Sequence, residues 1–100
     1  MERIFDITMH VPLGSRSGTL CFTAEQNRIH GILEILGGKN SFTGTLAADG
    51  STEFGGQITS LFHSFSYLAR GTISEGKLEL EISGGRYVFN VTGTERGGSI

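Results

Sequence analysis

Three histidines and one cysteine are the side chains in this sequence best suited to bind a metal or act as acid, base or nucleophile. They are His10, His30, His63 and Cys21. No two of them stand at the short spacing typical of ligands around one metal ion, and Cys21 has no second cysteine as a partner. Strand alternation directs His10 and His30 toward solvent. We therefore expect no metal and no other cofactor.

The segment 71–77, Gly-Thr-Ile-Ser-Glu-Gly-Lys, has the glycine and lysine spacing of a phosphate-binding loop. Leu78 follows where that loop needs serine or threonine, and no helical pattern begins there to supply the N-terminus that would hold a phosphate. The serines of the chain fit no nucleophile elbow. An enzyme is therefore the least favoured of three functional classes, after a binding module and an interaction protein.

The composition argues against several classes of binding partner. The 100 residues carry a net charge of −2, and the charged side chains of both signs are mixed along the chain. There is no basic stripe for nucleic acid, and no basic amphipathic helix or long apolar run for a membrane. The first residues lack the apolar core of a signal peptide, and a lone cysteine is typical of a reducing compartment. The sequence therefore predicts a cytoplasmic protein that binds neither nucleic acid nor membrane.

The elements that would position any site are short strands. Large apolar residues recur at every second position, which indicates strands with one face in a core and the other in water. Aromatic residues follow the same rule, with Phe62 as the exception. The inward set comprises Phe5, Ile7, Met9, Val11, Leu20, Phe22, Ile29, Leu33, Ile35, Phe65, Tyr67, Ile73, Leu78, Leu80, Ile82, Tyr87, Phe89 and Val91.

Turn residues separate these segments and define the topology. Asp49-Gly50, Glu75-Gly76 and Gly84-Gly85 supply the positive φ angles of tight hairpins, while Pro12 to Ser17 and Ser60 to Ser64 form longer connections. We predict an all-β fold: a single-domain antiparallel up-and-down meander of about eight strands, closed into a small barrel over residues 1–95, with a flexible tail at 96–100. The predicted strands are 2–11, 18–24, 28–36, 41–48, 52–59, 65–74, 77–83 and 86–95.

Glycines recur on the inward face of successive strands, at positions 31, 44, 56, 71 and 93. A glycine inside a strand costs roughly 0.5–1 kcal/mol relative to alanine, so its repetition on one face needs a geometric reason. Inward glycines allow a sheet to coil sharply, and they also leave room for neighbouring aromatic rings. We favour coiling, although both effects can operate together.

Meander hairpins with inward glycines and turns such as Asp49-Gly50 and Glu75-Gly76 resemble the calycin barrels, which include lipocalins, fatty-acid-binding proteins and avidins. The resemblance is architectural and spans almost the whole chain. The sequence contains no tryptophan, so the Gly-x-Trp motif of lipocalins and the biotin-site tryptophans of avidins are absent. The resemblance implies an interior that accepts a small apolar molecule.

Five residues are the candidates for such a ligand site. His63, Phe65 and Tyr67 follow the central connection and would line a cavity mouth, and Tyr87 and Phe89 belong to the last strand. The two tyrosines would place hydroxyl groups on an otherwise apolar face. A plain loop histidine and tyrosines satisfied within the core are the alternatives.

An outward apolar set predicts a different function. Burial of these side chains between subunits would make the protein a homodimer, or a structural protein that docks on another protein. Ile4 and Val88 would be neighbours if the first and last strands pair, and replacing Ile32 and Leu36 by lysine would then dissociate the assembly. The volume of the interior separates this function from ligand binding. The candidate interface residues are Ile4, Ile32, Leu36, Leu68 and Val88.

Overall fold

In the computed structural model, residues 2–12, 14–59 and 64–96 are described, and they form eight antiparallel strands that close into one barrel in chain order. The predicted all-β meander and its closure are confirmed. Each strand alternates between buried and exposed side chains over most of its length, as the apolar pattern predicts. The strands are β1 (Glu2–Val11), β2 (Gly14–Glu25), β3 (Arg28–Ile35), β4 (Gly38–Leu46), β5 (Ser51–Thr59), β6 (Ser64–Ile73), β7 (Lys77–Gly84) and β8 (Tyr87–Glu95).

The barrel closes through antiparallel pairing of β1 with β8, and its pairing is strongly staggered. Successive paired residues lead from Glu2 around the barrel to Val88, which the β1–β8 register places opposite Pro12. A stagger of about ten residues means that strands tilt and that rows of paired residues climb along the axis. Ile4 consequently lies beside Arg96 at one end, and Val88 lies at the other. The expectation that closure makes Ile4 and Val88 neighbours is wrong.

Strand β2 begins earlier than the sequence indicated. The predicted long connection from Pro12 to Ser17 is replaced by continued pairing, with Thr8 opposite Ser17 and Val11 opposite Gly14. The side chains of 14–17 are exposed, so this part of β2 has no buried face and no apolar alternation. Backbone hydrogen bonding to β1, which a side-chain pattern does not report, extends the strand.

Leu36 belongs to a turn rather than to β3. Ile35 pairs with Gly38, and the two residues between them, Leu36 and Gly37, have φ angles of 56° and 84°. Positive φ at both central positions is the geometry of a tight hairpin whose twist matches its strands. The Leu36 side chain is half-buried and packs against the core. It therefore does not stand on the outer face of β3, where strand alternation had placed it.

Apolar side chains from all eight described strands fill the interior. Phe5 and Phe22 stack with ring centroids 6.1 Å apart, and Phe42 lies 4.4 Å from Phe54, which meets Tyr67 edge to face at 6.2 Å. Most of the predicted inward set is buried. The core residues are Phe5, Ile7, Met9, Leu20, Phe22, Ile29, Leu33, Ile35, Phe42, Phe54, Ile58, Tyr67, Ala69, Ile73, Leu78, Leu80, Ile82 and Val91.

The inward glycines mark places where neighbouring strand backbones come very close. A Cβ atom on Gly44 would overlap the carbonyl oxygen of Glu53 and stand 2.5 Å from the Phe54 Cα. A Cβ on Gly71 would stand 2.8 Å from the Leu80 Cα. Backbone, rather than empty space, occupies the volume that a side chain would need. This geometry supports the coiling interpretation, because the strands can bend over one another only where the Cβ is missing.

We predict that Gly44→Val destabilises the barrel by at least about 3 kcal/mol, because the new side chain must displace the backbone of β5. The control is Thr43→Val on the exposed face of the same strand, which should change stability by less than about 0.5 kcal/mol. Urea denaturation followed by circular dichroism measures both. Equal midpoints for the two variants would contradict the assignment of glycine to a backbone contact.

Candidate functional site

Backbone hydrogen bonds between successive turns close one end of the barrel. We call it the closed end, formed by the turns at 26–27, 47–50 and 74–76 and by Glu95 and Arg96. Strand pairing there continues almost to each turn, and each connection is also tied to a neighbouring strand. The bonds run from Leu46 N to Asn27 O (2.9 Å), Ile73 N to Gly50 O (2.8 Å), Glu95 N to Gly76 O (3.0 Å) and Arg96 N to Ile4 O (2.8 Å).

An inward ion pair plugs the closed end. Arg3 donates from Nε to Glu95 Oε2 (2.9 Å) and from Nη2 to Glu95 Oε1 (2.8 Å), and Nη2 also donates to the Ser74 carbonyl (2.7 Å). The guanidinium lies 5.0 Å from the centroid of the Phe5 ring, a cation–π geometry. Hydrogen bonding to Arg3 lowers the pKa of Glu95. The partners of both charged groups lie within the barrel wall, so the plug is a structural feature.

The sequence analysis did not identify this ion pair, although the parity of both residues indicates that their side chains point inward. Arg3 has the same parity as Phe5, and Glu95 has the same parity as Gly93, so both point inward at the strand ends. Their partnership depends on the β1–β8 register, which pairs Phe5 with Glu95. A single sequence does not report that register.

We predict that Glu95→Gln lowers stability at neutral pH by about 1–2 kcal/mol, because it removes the charge from a hydrogen-bonded pair that is largely shielded from water. The pKa of Glu95 is lowered in the folded protein, so its contribution is present above the unfolded pKa and is lost as pH falls through the folded value. Stability of the variant should therefore fall less on acidification than that of the parent. Thermal unfolding between pH 7 and pH 3 measures this.

The matched control for this prediction is Glu53→Gln. Glu53 pairs with Arg70 on the outer surface, where both side chains are at least half exposed. Water screens such a pair, so the change should alter stability by less than about 0.5 kcal/mol. Equal losses at positions 53 and 95 would show that the plug is no more than another surface pair.

The opposite end of the barrel is built differently. We call it the aromatic end, after Phe65, Tyr67, Tyr87 and Phe89. Pairing within each hairpin there reaches the turn, but pairing between successive hairpins stops short of it. The last pairs between hairpins are Thr19 with Glu34, Phe42 with Gly56, Leu68 with Ser83 and His10 with Asn90. Beyond these pairs the ladders end but neighbouring backbones stay close, since a Cβ on Gly18 would overlap the carbonyl oxygen of Glu34 and one on Gly38 that of Thr59.

The structure brings three of the five predicted ligand residues, Phe65, Tyr87 and Phe89, together at the aromatic end. Phe65 and Phe89 are half-buried against the core, and Tyr87 stacks on Phe89 with centroids 5.9 Å apart. A Cβ on Gly84 of the intervening β7 would stand 2.7 Å from the Phe65 ring, so here the glycine does make room for an aromatic side chain. Tyr87 is 64% exposed, because its inward parity places it beyond the rim of the barrel.

Of the remaining predicted residues, Tyr67 is buried and His63 lies outside the described residues. Tyr67 is 6% exposed, and its phenol oxygen has no hydrogen-bond partner within the described structure. Burial raises the pKa of Tyr67, so the phenol stays protonated. The Nδ2 atom of Asn40 is also buried without a partner. Asn40 was missed in the sequence, although it shares the inward parity of Phe42.

The register places Asn40 and Tyr67 close to the same level of the barrel. Tyr67 pairs with Gly56, Gly56 pairs with Phe42, and Asn40 lies two residues from Phe42 toward the aromatic end. Each step to the next strand along a row of paired residues moves about one residue toward the aromatic end. Moving two residues along β4 from Phe42 toward that end therefore brings Asn40 to about the level of Tyr67. Two polar side chains thus point inward from β4 and β6 on either side of β5.

The outer wall carries an uncharged row at the aromatic end. Leu68 on β6, Ser83 on β7 and Val88 on β8 are consecutive partners across the sheet, and Tyr87 adjoins Val88. Leu68 is 40% and Val88 60% exposed. The next outward row carries charges of both signs in Glu53, Arg70 and Glu81. We call Leu68, Ser83 and Val88 the apolar face; the Tyr87 side chain, of opposite parity, lies over the rim beside Phe89.

Two other predicted interface residues lie elsewhere on the wall. Ile4, Cys21 and Ile32 are consecutive partners across β1, β2 and β3. Ile32 is 43% exposed, whereas Ile4 and Cys21 are only partly exposed. The predicted interface set is therefore divided between two regions of the barrel, with Leu36 in a turn apart from both.

The groups with reactive potential are held in unreactive surroundings. Burial and a hydrogen bond to Glu2 raise the pKa of the Cys21 thiol, whose Sγ lies 3.4 Å from Glu2 Oε2, so the thiol form is retained. Nε2 of the exposed His10 lies 3.1 Å from Thr92 Oγ1. Within the residues that the structure describes, no three histidine, cysteine or acidic side chains cluster as metal ligands would.

Comparison of the chain with known protein families, with curated proteins and with solved structures finds no match in any of the three. Over residues 2–12, 14–59 and 64–96, no helix is long and apolar enough to cross a membrane.

Proposed function

We propose that this protein is a non-catalytic interaction module, a barrel that associates with a second copy of itself through the apolar face. The observation that carries the proposal is the row formed by Leu68, Ser83 and Val88. These residues lie side by side on three neighbouring strands, and water covers a large part of two apolar side chains. A contiguous apolar patch on a small protein is typical of a contact surface.

The surroundings of the apolar face support this choice. Glu53, Arg70 and Glu81 border it on one side and leave its centre uncharged. An apolar centre with a charged rim is the usual composition of a protein interface, in which the rim selects the partner and its orientation. The row through Ile4 and Ile32 is less suitable, because Ile4 and Cys21 are only partly exposed.

The size of the barrel is compatible with such a contact. Its solvent-accessible surface is 6360 Å², and a standard interface buries about 800 Å² on each partner. The apolar face would form the centre of such a contact, and neighbouring residues of β6 to β8 would form its rim. Since the two copies would meet through the same residues, the contact would be isologous and would close as a dimer.

The burial of the interior side chains favours the interaction module over a barrel that holds an apolar ligand. Tightly packed side chains and close backbone contacts at glycines occupy the space that an apolar ligand would need. In this proposal the chain uses a calycin-like architecture for contact through its outer wall, and any guest molecule is confined to the aromatic end. The unpaired Cys21 favours the cytoplasm as the compartment.

We predict that Leu68→Lys combined with Val88→Lys converts a dimer to a monomer of 10.7 kDa without loss of the β-sheet signal. Two lysines on each copy would place four positive charges in one contact, and like charges that meet across an interface cost several kcal/mol. Sedimentation equilibrium over a range of micromolar concentrations gives the mass, and circular dichroism reports the fold.

Ile32→Lys is the matched control, because Ile32 is as exposed as Leu68 but lies on β3. It should leave the dimer intact. A parent protein that sediments as a monomer at every concentration would overturn the proposal. A dimer that Ile32→Lys dissociates and the double variant does not would move the contact to the row of Ile4 and Ile32.

A further inference from the structure

We propose that Tyr67 and Asn40 form a binding site for one neutral acceptor oxygen, held inside the aromatic end of the barrel. The oxygen belongs either to the carbonyl group of a small organic molecule or to a trapped water molecule. This site is separate from the apolar face, and the inference does not depend on dimer formation.

The first support is the presence of two buried polar atoms without partners in the same part of the interior. Tyr67 Oη and Asn40 Nδ2 are both inaccessible to solvent, and neither has a hydrogen bond within the described structure. Leaving one such group unpaired costs about 1–3 kcal/mol, so native proteins generally supply a partner. Thr52 shows the usual solution in this barrel, since its buried hydroxyl donates to the Thr45 carbonyl at 2.7 Å.

The chemistry of the two groups specifies what the partner must be. An amide nitrogen offers only donor hydrogens, and a protonated phenol is also a donor. One oxygen with two lone pairs would satisfy both donors together. Carbonyl oxygens and water oxygens both meet this requirement, whereas an ammonium group does not.

The charges of the barrel favour a neutral guest. A buried carboxylate would need a cation beside it. Among the described residues, the ion pairs hold Arg3 at the closed end and Arg70 and Arg96 on the outside. Arg16 is exposed, and its Nη1 donates to the Ser15 carbonyl. Lys39 and Arg86 at the aromatic end are exposed, and Phe54, which meets Tyr67 edge to face, gives the interior beside the phenol an apolar lining.

Local opening of strands at the aromatic end offers the guest a path to the site. Asn40 lies on β4 beyond Phe42 and Gly56, the last residue pair of the β4–β5 ladder. Between β6 and β7, a shallow crevice of about 300 Å³ is lined by Tyr67, Leu68, Ser83 and Gly84 among others. Exchange with solvent therefore requires local opening where the ladders have ended, and it leaves the closed end intact.

The experiment measures stability and site occupancy in the full chain. Tyr67→Phe, Asn40→Leu and the double variant are compared with the parent by urea denaturation, and Tyr87→Phe serves as the matched control with an exposed phenol. If an oxygen fills the site, Tyr67→Phe lowers the folding equilibrium constant about fivefold. The folding equilibrium constant of the double variant then falls by less than the product of the two single-variant factors, because both groups bind the same oxygen. Tyr87→Phe leaves the constant unchanged.

Crystal structures of the parent, grown with and without acetone as the carbonyl probe, identify the source of the oxygen. Density for acetone with its oxygen within hydrogen-bond distance of both groups assigns an organic carbonyl, and a single water in both crystals assigns trapped water. An empty site in both crystals overturns the proposal. So does a more stable Tyr67→Phe variant, because removing an unpaired hydroxyl is favourable, and so do independent effects at positions 40 and 67. A monomeric parent protein would refute the proposed dimer and leave these results unaffected.

Discussion

Closure of the barrel by pairing between β1 and β8 is the constraint on which the rest of the structure depends. Without it, two strands would each present a row of unpaired backbone groups to water. With it, the backbone is satisfied around the ring, but eight strands must coil within a small circumference. The inward glycines make this possible, because at Gly44 and Gly71 the neighbouring backbone occupies the place of a side chain. The same inward glycines therefore allow the barrel to close and bring backbone into the space that side chains would occupy.

The two ends of the barrel are built differently. At the closed end, turns are tied to neighbouring strands, and the hydrogen-bonded Arg3–Glu95 pair points inward at the opening. At the aromatic end, the ladders between hairpins stop early and aromatic rings take the place of the ion pair. Both the apolar face and the Tyr67–Asn40 site lie at the aromatic end.

Both proposals concern binding, and neither uses Cys21 or the Arg3–Glu95 pair. The Cys21 thiol is held in its protonated form by burial and by Glu2, and the Arg3–Glu95 pair serves the fold. What remains available to a partner is an uncharged row on the outside and two unsatisfied donors on the inside. The first is suited to another protein surface and the second to a single small group. They involve different residues and can coexist in one molecule.

The sequence by itself determined the strands, their inward faces and the meander, because alternation of apolar residues and turn chemistry act over a few residues. It also indicated that Phe65, Tyr67 and Phe89 share the interior. Only the tertiary structure decided that Ile4 and Val88 lie at opposite ends, that Arg3 meets Glu95, and that Leu36 turns into the core. Asn40 stayed unnoticed for the same reason. These outcomes depend on register and stagger across the whole ring, which arise from backbone pairing between distant segments and leave no periodic signal in the side chains.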